Sequence, residues 1–139
     1  MNKGLYSSNE DKWSTPQYLF DMLDQEFGFD LDPCATPENA KCEKYYTPLE
    51  DGLLQDWKGH IVFCNPPYGR QIGKWVKKAH DEAQDHDTTV VMLLPARTDT
   101  AWFHDYILGQ AEIRFVRGRL RFGDSKINAQ FPSMIVIYR

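Results

Sequence analysis

The sequence predicts a single α/β domain, a three-layer α/β/α sandwich with helices on both faces of a largely parallel sheet, and three observations carry that expectation. Amphipathic segments with helical spacing alternate with short apolar runs. The run TTVVMLLP at residues 88–95 is apolar on both faces, which suits an inner strand covered from both sides. The chain's 139 residues, 42% hydrophobic and 14% aromatic, supply one sizeable core and too little apolar material for two, so residues 1–139 are expected to form one domain.

The elements follow in order. Residues 1–12 are polar and read as a start that is mobile or waits for a ligand, with no apolar core of a signal peptide. Ser14 or Thr15 is the expected cap of a helix with Pro16 in its first turn. Tyr18, Leu19, Met22, Leu23 and Phe27 recur along it at helical spacing until Gly28 stops it. FDLDPC at 29–34 reads as a short strand. Residues 35–59, with a Tyr45-Tyr46 pair and an Asp51-Gly52 turn signal, are long for a structureless loop, so they carry function or an unplaced short strand. HIVFC at 60–64 reads as a buried strand that two prolines end at Asn65-Pro66-Pro67-Tyr68. Residues 70–86 form an amphipathic helix with Ile72, Trp75, Val76, Ala79 and Ala83 on one face, and TDTAWFHDYIL at 98–108 is a second cover helix. The tail supplies three short strands, AEIRFV, RLRFG and FPSMIVIY, expected as an antiparallel hairpin addition at the sheet edge.

Charge and cysteine content exclude several classes. With 16 basic and 20 acidic residues the net charge is -4, so any nucleic-acid contact comes from a local patch rather than a uniformly basic surface. No run approaches the roughly 20 apolar residues of a membrane span, and a cytosolic protein is expected. Cys34, Cys42 and Cys64 lack the pairing of a disulfide framework or zinc ribbon, so they read as reduced thiols and no metal is expected.

The chemistry is expected at strand ends, because open α/β sheets bind ligands beyond the carboxyl ends of their strands. Two places qualify, Asp32-Pro33-Cys34-Ala35 and Asn65-Pro66-Pro67-Tyr68. The second has a chemical logic of its own. An aromatic amine delocalises its lone pair into the ring and is a poor nucleophile until acceptors hold its hydrogens. The carboxamide oxygen of Asn65 accepts one hydrogen, and the carbonyl of Pro66, kept out of the sheet by the stiff Pro66-Pro67 pair, accepts the other. Tyr68 offers a flat face for an extruded base. With a methyl donor in line behind the amine, catalysis is positioning plus stabilisation of charge on nitrogen, with no strong base beforehand. Arg117, Arg119 and Arg121 alternate, so a strand would put them on one face beside Phe115 and Phe122, either as a DNA-facing stripe or as a solvated edge. Arg97, Asp99 and Trp102 follow a strand end and either line the target entrance or, for Trp102, pack the next helix.

The set WSTP, LDPCA, DGL, FCNPPYG and LPARTDTAWFH resembles phage-type DNA N6-adenine methyltransferases over roughly residues 11–139. That resemblance implies a Rossmann-like methyltransferase fold, S-adenosylmethionine as cofactor, and duplex DNA as partner with its target adenine flipped out. It also implies a phage or prophage setting in a bacterial cytoplasm. It places Trp13, Thr15 and Pro16 at the border of the cofactor, Asp32 and Pro33 beside its methionine part, Asp51 and Leu53 near its adenine, and Asn65, Pro66 and Tyr68 on the target base. The glycine-rich turn that such enzymes place after the first strand is absent from DPCATP, and Glu43 and Glu50 are equal candidates for the ribose hydroxyls. RNA or a protein glutamine amide as substrate, and an inactive nucleotide- or DNA-binding module, stay open. DNA specificity falls to loops such as 35–59 or 123–131 or to dimerisation, or is loose.

Overall fold

The computed structural model describes residues 14–123 and 127–139. Its first helix, α1 (Gln17–Phe27), begins at Pro16, whose carbonyl accepts from the amides of Leu19 and Phe20. The hydroxyl cap expected from Ser14 or Thr15 is not made, because no side chain caps this helix. Gly28 ends it as expected, in the left-handed region at φ 71°, where its amide donates to the Asp24 carbonyl. Leu19, Phe20 and Leu23 form the buried stripe. Tyr18 and Met22, expected on that stripe, are 64% and 61% exposed. Each sits one position, about 100° around the helix, from a buried leucine and so faces solvent.

A four-stranded sheet runs in the order β1 (Ile61–Cys64), β2 (Thr89–Pro95), β4 (Ser133–Tyr138), β3 (Glu112–Phe115). β1 and β2 are parallel, with Ile61 opposite Thr89, whereas β4 pairs antiparallel with both β2 and β3. The sheet is therefore mixed, and the buried apolar run of β2 has a parallel neighbour on one side only. The tail is also not a simple edge addition, since β4, with all six residues buried, lies inside the sheet between β2 and β3, and of the tail only β3 lies at an edge.

The FDLDPC segment contributes single bridges rather than a full strand: Leu31 pairs with Val62 and Asp32 with Tyr45, both parallel. Pro33 has no amide to donate toward β1, so pairing with that strand stops there, while the Ala35 amide still donates to the Tyr46 carbonyl. In the long 35–59 segment, expected to carry function or an unplaced short strand, Tyr45 forms one isolated bridge and no strand. RLRFG, expected as a strand, forms none. After Val116 donates to the Ser133 carbonyl the chain leaves the sheet, and Leu120 and Phe122 turn into the core while Arg119 and Arg121 stay outside. Burying those two apolar side chains over the α1 face replaces the ladder they would have made.

Helix α2 (Ile72–Glu82) is shorter than the 70–86 expected, but Ile72, Trp75, Val76 and Ala79 are buried as predicted and Ala83 is its half-buried cap. Helix α3 (Ala101–Tyr106) is only six residues long, capped by Thr100 Oγ1 accepting from the Phe103 amide. The side chains of β2 alternate between two cores. Val90, Met92 and Leu94 pack with residues of α2 and α3, and Val91 and Leu93 pack with α1, Leu120 and Phe122. Among the described residues no helix is long and apolar enough to cross a membrane.

Candidate active site

Because Leu31–Asp32, β1 and β2 run parallel, their carboxyl ends share one edge of the sheet, and the segments that leave them carry the predicted site. Asp32 is 4% exposed. Its Oδ1 accepts from the Cys34 amide at 3.3 Å and its Oδ2 from the Lys41 amide at 3.0 Å. Burial pushes its pKa up to about 7, against the pull of those two amides. The carboxylate thus closes the 33–41 loop, which explains how this turn does without the expected glycines.

Pro33 is locked to the Asp51-Gly52 turn. A Cβ on Gly52 would lie 1.9 Å from the Pro33 carbonyl oxygen and 3.1 Å from the Trp75 ring, so only glycine allows this approach. Asp51 is the single non-glycine residue at positive φ, 56°, among the described residues. It offsets that strain by accepting the Leu53 amide on Oδ1 at 3.1 Å, which caps the short 3-10 turn Gly52–Leu54. Buried Trp57 fixes the turn from behind by donating its indole N–H to the Gly52 carbonyl at 2.9 Å.

The Asn65-Pro66-Pro67-Tyr68 turn leaves β1 directly. The Asn65 amide nitrogen donates to Thr15 Oγ1 at 3.1 Å, and Pro66 is buried. The Tyr68 hydroxyl donates to the Leu93 carbonyl at 2.8 Å, and its ring meets Phe122 and Phe131 edge to face, with centroids 6.1 and 5.7 Å away. Burial holds the phenol well above its ordinary pKa, so it stays neutral. The ring is therefore fixed both at its hydroxyl and along its flank. The Arg97 guanidinium lies 6.0 Å from the Phe131 centroid.

A cleft of about 550 Å³ opens beside this turn, between the 48–54 loop and α2. Asp51, Leu53, Pro67 and Trp75 are in its wall, so the structure brings two of the residues expected at a cofactor together with the second proline of the motif. The sequence reading missed Gln71, Lys74 and Lys78, which also line it. Their recurrence on the polar side of α2 was visible but reads equally as a solvated helix face.

Other expected residues stand apart. Trp13 lies outside the described residues, as does part of the 123–131 loop. Thr15 is 5% exposed and turned to Asn65, and Pro16 begins α1. Arg97, Arg117, Arg119 and Arg121 are exposed, but the last three lie on irregular chain rather than a strand, and Arg121 bonds Asn128. Phe115 is exposed while Phe122 is buried, so the two phenylalanines do not form a common stacking surface. Trp102 is half-buried on α3, and its side chain fills the space above Gly73 of α2, as a helix-packing residue does. Glu50 is engaged by the amide and hydroxyl of Thr47 at 2.8 and 2.9 Å, whereas Glu43 is exposed.

The sequence profile of the family described as DNA N-6-adenine-methyltransferase (Dam) matches residues 3–139. A protein of Haemophilus phage HP1 named DNA N-6-adenine-methyltransferase is 33% identical, over 94% of this chain and 80% of that protein. One of the same name from Escherichia phage T1 is 39% identical over 79% of this chain, which spans only 46% of that longer relative.

Proposed function

As this chain belongs to the DNA N-6-adenine-methyltransferase (Dam) family, we propose that it transfers a methyl group from S-adenosylmethionine to the N6 amine of an adenine extruded from DNA. The frame is a single Rossmann-like domain of three layers, a reading supported by the two cores that flank the sheet. The similarity to phage proteins supports the cytoplasm of a bacterial cell as the place of action. The observation that carries the proposal is the Asn65-Pro66-Pro67-Tyr68 turn at the carboxyl end of β1, with its amide anchored on Thr15 and its ring locked to Leu93.

The side chains present fit the cofactor. Leu53, Pro67 and Trp75 give apolar walls suited to an adenine ring, in a cleft of about 550 Å³. Asp51 in its wall offers polar contacts, and Asp32 and Pro33, outside that lining, would border the methionine part, where buried Asp32 would face an ammonium group. When bound, S-adenosylmethionine would supply an electrophilic methyl group on a sulfonium sulfur, which keeps the electron pair of the broken S–C bond as it leaves.

The chain's own residues then prepare the nucleophile. Asn65 and the Pro66 carbonyl accept the two amine hydrogens, which localises the lone pair on nitrogen and stabilises the positive charge that grows there as the new N–C bond forms. Tyr68 stacks on the base and holds the amine in line. Because the phenol stays neutral and the methylated amine is strongly acidic, the departing proton leaves to water rather than to Tyr68. A base inside a duplex cannot reach a turn set at the end of a buried strand, so extrusion is required. Exposed Arg97, Arg117, Arg119 and Arg121 supply phosphate contacts that a chain of net charge -4 must concentrate locally.

Asn65→Ala is the test. It is expected to lower kcat by about 10²- to 10³-fold while DNA and cofactor affinities stay within about threefold. A variant with wild-type kcat, or one that merely loses cofactor, would remove Asn65 from the reacting centre.

A further inference from the structure

We infer that Thr15 is a positioning residue for methyl transfer: its hydroxyl oxygen anchors the Asn65 carboxamide beside the target amine. This rests on the role proposed for Asn65. A carboxamide has an acceptor end and a donor end of nearly the same shape, and rotation by half a turn exchanges them. With the oxygen toward an amine hydrogen the group activates nitrogen; with the NH2 end there, two donors face each other and the amine is repelled. A fixed partner outside the substrate restrains that rotation.

Thr15 Oγ1 does so by accepting from Asn65 Nδ2 at 3.1 Å. Three features leave this oxygen placed for that bond. Thr15 is 5% exposed, so little water competes for the bond. Its backbone is pinned on both sides, with the Ser14 carbonyl accepting from the Gly123 amide at 2.8 Å and the Pro16 carbonyl starting α1. The hydroxyl is also not spent on helix capping, the ordinary use of a threonine at such a place, since α1 has no side-chain cap. The bond joins residues fifty positions apart and so ties the start of α1 to the end of β1.

The test compares Thr15→Val, which keeps the shape and removes the acceptor, with Thr15→Ser, which keeps the acceptor. Thr15→Val is expected to lower kcat by about 10- to 100-fold, with Kd for S-adenosylmethionine and for DNA within about threefold, and Thr15→Ser to restore kcat to within about threefold of wild type. In an Asn65→Ala background Thr15→Val is expected to cause no further loss. Independently of turnover, the Asn65 side-chain amide in ¹⁵N-asparagine-labelled protein should exchange faster with water in Thr15→Val and regain protection in Thr15→Ser. If Thr15→Val does not fold, Thr15→Ala carries the same expectations. Wild-type kcat without the acceptor, equal damage by serine, or a full additional loss in the Asn65→Ala background overturns the inference. An active Asn65→Ala enzyme would instead overturn the role of Asn65 itself, which keeps the two failures distinct.

Discussion

Gly52→Ala probes the contact on which the site's framework depends, that between the Asp51-Gly52 turn and Pro33. The added Cβ would sit 1.9 Å from the Pro33 carbonyl oxygen, 3.0 Å from its carbonyl carbon and 3.1 Å from the Trp75 ring. Non-bonded heavy atoms rest at about 3.5 Å or a little less, so the two backbones must part by more than ~1 Å. Neither is free to move, because Asp32 holds the 33–41 loop through two amides and Trp57 holds the Gly52 carbonyl. Overpacking costs about 1–3 kcal/mol and the weakened indole bond about 1 kcal/mol more, so the variant should lose about 3 kcal/mol. For a chain of this size that lowers Tm by roughly 10 °C. Differential scanning calorimetry reads the shift, with Gly69→Ala as control, since nothing lies within 4 Å of a Cβ there. The control should stay within ~0.5 kcal/mol of wild type. A Gly52→Ala protein melting within about 2 °C of wild type would show that the two loops do not press together as described.

Three other outcomes are expected. Asp32 has a folded-state pKa of about 7, above the ordinary 3.8, so the folded protein keeps a proton that the unfolded chain releases. Its contribution to stability is full below about pH 4 and is lost as pH rises through about 7, and thermal melts from pH 4 to 8 should show that decline flattened in Asp32→Asn. An unchanged slope in the variant would assign the decline elsewhere. Tyr68→Phe removes the bond to the Leu93 carbonyl but keeps the ring; it should cost about 1 kcal/mol in a denaturant titration, with kcat reduced less than about tenfold. Tyr68→Ala should abolish turnover, and equal damage by both variants would contradict a stacking role. Arg119→Ala should weaken DNA binding and lower the slope of log K against log salt by about 0.9 if it meets one phosphate, and an unaltered slope would remove it from the interface.

The buried runs at 60–64 and 88–95, the apolar face of α2 and the stop at Gly28 were legible because each is a local pattern with a local cause. The direction of pairing was not. An interior strand reads as apolar on both faces whether its neighbours are parallel or antiparallel, so the insertion of β4 beside β2 had no signature. The alternation of Arg119, Leu120, Arg121 and Phe122 was seen, but extended chain that buries every second side chain need not pair with a strand. At the site, the prolines of Asn65-Pro66-Pro67-Tyr68 announced a turn with a purpose. The diversion of Thr15 from capping to Asn65, and the closing of the 33–41 loop by Asp32, depend on contacts between segments distant in sequence, which no local pattern encodes.

The most direct measurement is methyl transfer from labelled S-adenosylmethionine to unmethylated duplex DNA, with single-stranded DNA and total RNA alongside and the product nucleosides identified by mass spectrometry. N6-methyladenine formed in DNA is the predicted result. Methylated cytosine, methyl groups confined to RNA, or no methylated nucleoside despite bound cofactor would contradict an adenine held by Asn65, Pro66 and Tyr68.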